Sequence, residues 1–330
     1  MYSCRRNRRG DFKMNFDYSK EFQAMIDAYK KAGGNEKVLI DNKFGSIVIN
    51  ENKVLGKNEI NGFHVKHETI KEGVNVKIFI DEKVKIESPI HLCFGMLPKE
   101  GKQVINSEFF IGKDAKVEFL AHCTFPNAKH IEHIMNSRVS IGVNGNMSYI
   151  EEHYHSESGG TLVYPKLRGE IKEGGKLSEE FRLTRGRVGI LNIDYEIEQD
   201  ERSACDLLTK VYGKKDDRIE VRESLHLNGE YAAGTAKSRI VLIDNAFGNV
   251  LGEIEGNAAY TRGHVDCHEV VHGKGARAAS TPKISVENPL ARVTHEAAIG
   301  RINKKELETL MARGLTEEEA VDIIVRGLLK

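Results

Sequence analysis

The sequence predicts a mainly β fold, a parallel β-helix (β-solenoid) core with short helical segments at its two ends. Three observations point to it: apolar and polar residues alternate over most of the chain, no long helical pattern interrupts the alternation, and similar segments recur 30 residues apart. The lack of intervening helices argues against βαβ units and a nucleotide-binding parallel sheet. A β-sandwich remains the alternative, since it is also built from short alternating strands.

The N-terminal segment, residues 1–36, is predicted to contain a tail and one short amphipathic helix. Apolar residues recur at intervals of three and four between Tyr18 and Ala32, and Gly33 and Gly34 end the pattern. The preceding stretch MYSCRRNRRGDFK is basic but leads into no apolar run, so we expect neither a secretory signal nor a membrane-spanning segment. The apolar positions of the helix are Phe22, Met25, Ile26 and Tyr29.

Residues 37–300 form the predicted β-helix core. The turn residues Asp114, Asn144 and Gly174 stand 30 residues apart, and each precedes the same polar and apolar alternation. Single units of this kind cannot bury their apolar faces, whereas stacked coils share one continuous core. Clear strand patterns occur at 74–80, 193–197 and 218–221.

Residues 301–330 predict a hairpin of two short helices. Asn303 with Glu306 and Thr316 with Glu319 have the spacing of a capping box, and residues 313–315 separate the two amphipathic runs. We expect this hairpin either to cap the end of the solenoid or to dock a partner protein. Its apolar positions are Leu307, Leu310, Met311, Ala320, Ile323, Ile324 and Leu328.

Charge and cysteine content narrow the function classes. The 49 basic and 49 acidic residues give zero net charge, which argues against a nucleic-acid protein that relies on a bulk positive field. Five widely spaced cysteines do not resemble the disulfide framework of a small secreted domain, so we predict a cytoplasmic protein with reduced thiols. No G-x-x-x-x-G-K-[ST] loop occurs, and no ATP site is expected in this chain.

The segment His268–His272 spells H-E-x-x-H, which binds zinc when it lies on a helix. Adjacent Val270 and Val271, followed by Gly273, favour a strand instead. Residues four apart in a strand are separated by about 13 Å, too far for both histidines to hold one ion. The metalloprotease interpretation is therefore disfavoured.

Two patches carry residue types that could support chemistry. The first combines imidazole, thiol and carboxylate groups, a set that suits a borderline or soft transition metal. Within it, Cys93, Cys123 and His153 stand 30 residues apart and are predicted to stack in one column, with neighbouring strands about 4.8 Å apart. The alternative is that the cysteines are small buried hydrophobes and the histidines a solvated face. The patch comprises His122, Cys123, His130, His133 and residues 151–155.

The second patch lies at residues 262–269 and 294–296. In a strand, Cys267 shares a face with Val265 and Glu269, while Asp266 points the other way. Cys267 and Glu296 are 29 residues apart, close to the coil spacing, so a thiol near a carboxylate and an imidazole could form a soft-metal or cluster site. A nucleophilic Cys/His pair is also possible, although no oxyanion hole is evident.

The C-terminal stretch ENPLARVTHEAAIGRINKKELETLMARGLTEEEAVDIIVRGLL, residues 287–329, closely resembles the end of the SufB/SufD family of iron–sulfur cluster assembly proteins. The resemblance lies in the A-x-V-x-HEA core, the RGL turn, the EEEA-x-x-x-IV-x-G tail and R-x-x-x-x-C at residues 262–267. Known members have a flattened right-handed β-helix between helical termini, so the resemblance implies that fold here.

The resemblance implies a scaffold component of the SUF system rather than an enzyme. In the family, SufB and SufD pair through the ends of their β-helices, and their C-terminal helices bind the ATPase SufC. A transient iron–sulfur cluster, expected to be of the 4Fe-4S type, forms from relayed persulfide sulfur and passes to recipient apoproteins. No nucleic acid or membrane partner is implied. The chain is shorter than the usual SufB, lacking much of its N-terminal domain.

Individual roles carry over by position. Cys267 falls on the proposed cluster ligand of SufB, Glu296 on the neighbouring carboxylate, and His295 on the interface histidine of SufD. Cys123 falls on the proposed sulfur acceptor, and Glu151 and His153 fall where members line an internal tunnel. Because SufB-like and SufD-like residues occur together, the resemblance implies a homodimer with two symmetry-related sites. The residues expected to bind SufC are Leu307, Leu310, Met311, Ile323, Ile324 and Leu328.

Two other function classes stay open from the residues themselves. One is a metal-dependent β-solenoid enzyme that uses the histidine-rich patch. A tightly bound zinc ion and catalytic turnover would support it. The other is a purely structural β-helix adaptor, which would be metal-free and insensitive to Cys267→Ser or Glu296→Ala.

Overall fold

The computed structural model describes residues 15–16 and 19–330, so the predicted basic tail, with Cys4, lies outside the described residues. The helices are α1 (Lys20–Lys31), α2 (Lys304–Met311) and α3 (Glu317–Leu328), with a 3₁₀ turn at Glu36–Leu39. No helix in the described residues is both long and apolar enough to cross a membrane. The strands are β1 (Asn15–Phe16), β2 (Ser46–Asn50), β3 (Lys53–Asn58), β4 (Phe63–Ile70), β5 (Gly73–Ile80), β6 (Ile90–Gly95), β7 (Glu100–Ile111), β8 (Lys116–Phe125), β9 (His130–Ile141), β10 (Asn146–His155), β11 (Thr161–Ile171), β12 (Lys176–Arg185), β13 (Gly189–Gln199), β14 (Ala204–Gly213), β15 (Arg218–Leu227), β16 (Ala233–Leu242), β17 (Phe247–Gly256), β18 (Arg262–Val271), β19 (Arg277–Val286) and β20 (Arg292–Arg301).

The strands form a β-solenoid of about 8 turns, as the alternation and the repeats predict. Even-numbered strands from β6 to β20 follow one another in an eleven-stranded sheet, and odd-numbered strands from β5 to β19 in a nine-stranded sheet. Each of these strands pairs in parallel with the strand one coil further along, for example β8 with β10 and β18 with β20. Parallel pairing of alternate strands is the coil connection of a solenoid, so the sandwich alternative is wrong.

The stacked turns at Asp114, Asn144 and Gly174 confirm the predicted repeat. All three residues adopt left-handed backbone conformations, with φ of 56°, 55° and 66°. The Asn144 side-chain amide donates to Oδ1 of Asp114 at 3.0 Å, one coil away. A Cβ atom on Gly174 would lie 2.3 Å from Oδ1 of Asn144, so a larger residue at this turn would displace the Asn144 side chain.

Helix α1 forms where the periodicity predicts it and packs on the outer side of the larger sheet. The Ser19 hydroxyl accepts a hydrogen bond from the Phe22 backbone N–H and caps its N-terminus. The buried face of the helix contacts Val48 and Cys93 of the sheet. Its other buried residues include Met25, Ile26 and Tyr29.

The C-terminal hairpin lies on the outer face of the same sheet. The Asn303 side chain accepts from two backbone N–H groups at the start of α2, and Thr316 with Glu319 forms a capping box at the start of α3. Val321 and Val325 of α3 pack with Tyr212, Val241 and Val270, which belong to β14, β16 and β18. The expectation that the hairpin caps the solenoid end is therefore wrong, because its apolar residues pack against a hydrophobic strip on the outer face of the sheet.

Candidate functional site

A buried group of Cys123, Glu151 and His153, here called the interior cluster, lies inside the solenoid. Cys123 is on β8, and its register partner on β10 is His153, so their side chains stack on the inward face. Glu151 precedes His153 by two residues and faces the same way because side-chain direction alternates along a strand. One ligand-type atom from each of the three residues lies within 4.8 Å of the others.

A hydrogen-bond chain fixes the protonation of this cluster. Nδ1 of His155 lies 3.2 Å from the backbone carbonyl of Arg187, which can only accept, so Nδ1 of His155 carries the proton. Nε2 of His155 must then accept from Nδ1 of His153, at 3.1 Å. Nε2 of His153 is left as an acceptor, and the 2.6 Å contact with Oε1 of Glu151 is a donation from the carboxyl group.

Burial supports this neutral arrangement. Loss of hydration raises the pKa of Glu151 to about 7 and lowers the pKa of His153 to about 3. The contact between them is therefore a hydrogen bond between neutral groups rather than an ion pair. Burial also raises the pKa of the Cys123 thiol, whose Sγ lies 4.0 Å from Oε1 of Glu151. The interior cluster therefore contains a neutral thiol beside a protonated carboxyl group.

His133 faces the interior cluster from the opposite sheet. It lies on β9, is fully buried, and neither ring nitrogen has a hydrogen-bond partner among the described residues. Its ring centroid is 6.1 Å from that of His153, and burial lowers its pKa to about 3. From the same strand, the Met135 sulfur lies 3.9 Å from Sγ of Cys123. An unpartnered buried imidazole is costly, which makes His133 a notable feature of the site.

The predicted column of Cys93, Cys123 and His153 is correct for Cys123 and His153 and wrong for Cys93. Cys123 and His153 are register partners, but the partner of Cys93 is His122, and Phe94 takes the place opposite Cys123. The coil between β6 and β8 is one residue shorter than the next, and a slip of one residue turns a side chain to the other face. Cys93 therefore packs beneath α1, away from the cluster.

Most histidines of this patch are not a solvated face. His122, His133, His153 and His155 are buried, with His122 packed 4.5 Å from the ring of Tyr29. The remaining one, His130, is exposed at the start of β9. The alternative of a solvated histidine surface is thus wrong for the residues around Cys123.

One inward-facing register column joins the interior cluster to Cys267. Consecutive strands of the larger sheet place Thr209 beside Ser238 and Ser238 beside Cys267. From Glu151 to Cys267 the column crosses four strand spacings, about 19 Å. The full column is Glu151, Phe181, Thr209, Ser238 and Cys267.

Buried carboxyl groups accompany this column and keep it polar past Phe181. Glu223 accepts from the Thr209 hydroxyl at 2.7 Å, and Glu269 accepts from the Ser238 hydroxyl at 3.0 Å. Glu179 is also buried on the inward face of β12, and burial, followed by the charges of Glu151 and Glu223, raises its pKa. Burial raises the pKa of both Glu223 and Glu269 to about 7. These groups are acids that can donate hydrogen bonds below neutral pH.

Glu223→Gln is expected to change how stability depends on pH. The pKa of Glu223 is about 7 in the folded protein against 4.5 for the ordinary group, so the folded state binds the extra proton and loses stability as pH rises from 4.5 to 7. The loss amounts to about 3 kcal/mol. Urea unfolding at pH 5 and pH 8 should show the variant gaining stability relative to wild type at the higher pH. Glu118→Gln, at an exposed position of β8, is the control; an equal response in both variants would contradict the prediction.

The structure places His295, but not Glu296, on the face of Cys267. The register pairs Cys267 with Ala297, Val265 with His295 and Asp266 with Glu296. The coil here is 30 residues long rather than 29, so Glu296 points to the opposite face within one chain. Cys267 itself is buried, and burial raises the pKa of its thiol. The strand β18 also keeps His268 and His272 apart, as expected for the disfavoured zinc motif.

The solenoid ends at an open end formed by β19 and β20, which have no neighbour beyond them in the described sheets. Both faces of these strands are largely exposed. Ile284 and Ile299 stand in register with the buried Ile254 and Glu269, yet they are 38% and 52% exposed. These apolar side chains occupy interior positions that no further coil covers. Val286 and Leu290 add to the exposed apolar area.

The hairpin divides the six predicted partner-binding residues into two groups. Leu307 and Ile324 pack partly against the cluster formed with the sheet, and Leu310 is half-buried. Met311, Ile323 and Leu328 are 40%, 47% and 40% exposed. These three apolar side chains are therefore the members of the six that remain available to a partner.

Comparison with known proteins identifies the family. The model of the SUF system FeS cluster assembly family, SufBD core domain, matches residues 100–328. An iron–sulfur cluster assembly SufBD family protein of Methanocaldococcus jannaschii is 38% identical over 94% of this chain and 98% of its own length. The chain belongs to the SufBD family. A SufBD family protein of Pyrococcus horikoshii is also 38% identical over 97% of both chains, and a second one from that organism is 27% identical over 83% of this chain and 60% of its own length.

Sequence reasoning placed Glu269 on the face of Cys267 but missed two further interior carboxyl groups of this SufBD protein, Glu179 and Glu223. Glu179, Glu223 and Glu269 each stand between apolar or small neighbours two residues away on either side, as in Leu177-x-Glu179-x-Phe181. Strict alternation places such a glutamate on the buried face, and this was the available signal. A single glutamate within one strand is more often a solvent-facing residue, so only the assembled column shows what the three share.

Proposed function

We propose that this SufBD protein is a scaffold of the SUF machinery, which assembles a nascent iron–sulfur cluster at a homodimer interface together with a SufC-type ATPase and transfers it to apoproteins. The observation that carries the proposal is the polar column between two buried cysteines. Cys123 lies at one end of it, and Cys267 lies at the other, one strand from the open end.

In the proposed reaction, sulfur enters at Cys123 and is carried to Cys267 by sulfide, which takes the outer sulfur of the Cys123 persulfide as a hydrodisulfide anion and is released again when the Cys267 thiolate accepts that sulfur. The Cys123 thiolate attacks the outer sulfur of a donor persulfide, a new S–S bond forms, and the donor leaves as a thiolate. The thiol proton leaves through Glu151, whose carboxyl group lies 4.0 Å from Sγ of Cys123 and passes its own proton to Nε2 of His153 as it takes the new one. The electron count is unchanged because only sulfane sulfur moves.

The column offers stations for an anionic sulfur species. Protonated carboxyl groups and hydroxyls donate hydrogen bonds, which stabilise a persulfide anion in a dry interior. Thr209 and Ser238 are spaced one strand apart on the way to Cys267. The raised pKa values of Glu223 and Glu269 keep these carboxyl groups available as donors.

The proposed cluster site lies between two copies of the chain. Cys267 and His295 share one face of the open end, whereas Glu296 faces the opposite side of β20, so one chain does not bring all three together. A two-fold axis at the open end supplies the missing group from the partner. Mixed thiolate, imidazole and carboxylate ligation suits a scaffold, because it binds a cluster less firmly than four thiolates do.

The open end also has the character of an interface. Unpaired edge strands invite pairing with another chain, and contiguous exposed apolar side chains mark association surfaces. Ile284 and Ile299 become buried once a second copy continues the interior.

The hairpin is the proposed binding site of the ATPase. Its residues Met311, Ile323 and Leu328 are exposed, while Val325 packs in one cluster with Val270 of β18. Because β18 also carries Cys267, a pull on α3 acts on the strand that holds the proposed cluster ligand. ATP hydrolysis by the partner thereby has a mechanical route to the interface.

Anaerobic reconstitution with ferrous iron and sulfide tests the proposal. The wild-type protein is expected to show the absorption and Mössbauer signals of a cluster, and Cys267→Ser to lose most of them. Cys205→Ser is the matched control, since Cys205 is equally buried in the interior of β14 and lies outside the column. A cluster that survives Cys267→Ser, or one that Cys205→Ser also removes, would contradict the interface site.

A further inference from the structure

We propose that the interior cluster and His133 form a binding site for one divalent first-row transition ion, of the Fe²⁺ and Zn²⁺ class. This goes beyond the proposed scaffold function, which uses Cys123, Glu151 and His153 for sulfur entry and places its metal at the open end. The inference holds or fails independently of where the cluster is assembled.

The donor atoms already lie at nearly the right separation. Sγ of Cys123, Oε1 of Glu151 and Nε2 of His153 all fall within 4.8 Å of one another. In a tetrahedral site with bonds of about 2.0–2.3 Å, ligand atoms stand about 3.3–3.8 Å apart. The 4.0 Å separation of sulfur and carboxyl oxygen needs a small contraction, and the 2.6 Å hydrogen bond lengthens once its proton leaves.

His153 is oriented in the manner of a metal ligand. Its Nδ1–H donates to His155, which in turn donates to the backbone carbonyl of Arg187. The lone pair of Nε2 therefore points at Glu151 and into the cluster. Metal-ligating histidines characteristically have the second ring nitrogen held in this way, because the hydrogen bond fixes both tautomer and ring orientation.

His133 is the independent observation that points to a ligand. A fully buried imidazole whose two nitrogens lack partners among the described residues carries an uncompensated desolvation cost. It lies across the interior from His153, at 6.1 Å between ring centroids, and its electrostatic environment includes Glu151. A metal ion bound between the two sheets would give one of these two nitrogens a partner and complete a four-coordinate set.

The donor chemistry selects the class of ion. One thiolate, one carboxylate and two imidazoles suit Zn²⁺, Fe²⁺ and Co²⁺, whereas Mg²⁺ and Ca²⁺ prefer oxygen ligands alone. As the ion enters, Cys123 and Glu151 each release one proton. The two negative charges then balance the charge of the ion, so the dry interior holds a neutral complex.

Cobalt(II) is the probe, because it reports coordination directly. We expect anaerobic titration of the full chain to give one Co²⁺ per chain, a thiolate-to-cobalt charge-transfer band in the near ultraviolet, and strong visible bands typical of four-coordination. Cys123→Ser should remove the charge-transfer band. Glu151→Gln and His133→Phe should each weaken binding at least tenfold. Zn²⁺ and Fe²⁺ should displace the cobalt.

These variants separate metal binding from folding. Glutamine at position 151 can still donate to Nε2 of His153, and phenylalanine at 133 keeps a buried ring while removing the two unpartnered nitrogens. Both proteins are expected to unfold at or above the wild-type temperature without metal. Cys205→Ser and Cys267→Ser should leave the cobalt spectrum unchanged.

Three outcomes would overturn the inference. The first is the absence of stoichiometric binding by the wild-type chain. The second is a charge-transfer band that disappears in Cys267→Ser and survives in Cys123→Ser, which would move the metal to the open end. The third is unaltered affinity and spectrum in His133→Phe, which would remove His133 from the ligand set.

Discussion

Replacing Ile299 with aspartate is expected to convert the proposed dimer into monomers. Ile299 lies on the inward face of β20 and is 52% exposed at the open end, where the proposed two-fold interface brings two copies together. By symmetry, each substituted dimer would bury two carboxylates without partners, and charges of like sign would face each other across the axis. A penalty of about 4 kcal/mol would weaken association roughly a thousandfold. Sedimentation velocity over a range of concentrations measures this change.

The hairpin provides the matched control for this substitution. Ile323→Asp introduces the same charge at a residue that is 47% exposed, on the outer side of α3. That variant is expected to remain a dimer, and both variants should keep their secondary structure because the substituted side chains are largely outside the core. Ile299→Asp protein should also lose the reconstituted cluster, since the site is shared between copies. A dimer that persists in Ile299→Asp, or dissociates in Ile323→Asp, would refute the open-end interface.

The repeating fold was predictable because its physical signals are local. Alternation shows which side chains face inward, and the stacked turns at Asp114, Asn144 and Gly174 repeat with their left-handed conformations. The capped helices were equally visible, since Thr316 and Glu319 form the capping box that their spacing predicts. Each of these features depends on residues within one coil or one turn.

Contacts between coils were less predictable, because coil length varies. Along the interior column the step is 30 residues from Glu151 to Phe181, 28 from there to Thr209, and 29 to Ser238. In a strand, an error of one residue moves a side chain to the opposite face. The fixed spacing of 30 was right for Cys123 with His153, but wrong for Cys93, and the spacing of 29 was wrong for Glu296.

The interior column was not predictable, partly because coil length varies and partly because burial depends on both sheets. Alternation places Glu223 and Glu269 on the same face as their apolar neighbours, but it does not show that a second sheet encloses that face and leaves the carboxyl groups buried. The sequence of the hairpin likewise predicted its apolar residues but not the surface of the sheet that they cover. Burial against Tyr212, Val241 and Val270 depends on how far the chain turns back after β20, which local sequence does not encode.

The double substitution Ile323→Asp with Leu328→Asp is expected to abolish binding of the SufC-type ATPase. Both side chains are exposed on α3, whereas Val321 and Val325 anchor the helix to the sheet. Two charges placed in an apolar contact should weaken binding at least a hundredfold, with the hairpin still docked. Isothermal titration of the full-length variant with the purified ATPase measures the loss.

Point substitutions distinguish the loss of an ATPase-binding surface from a disrupted fold better than deletion of the hairpin does. Deletion of residues 304–330 would strip the cover from Tyr212 and Val241, so lost binding in that protein has two explanations. Ile299→Asp completes the comparison, because it should keep ATPase affinity while losing the dimer. If the two classes of variant each lose one interaction and keep the other, α3 and the open end are separate surfaces. They are then joined through β18, where Val270 contacts the hairpin cluster and Cys267 faces the interior. ATPase binding that survives the double substitution would instead place the partner elsewhere on the solenoid and break this link.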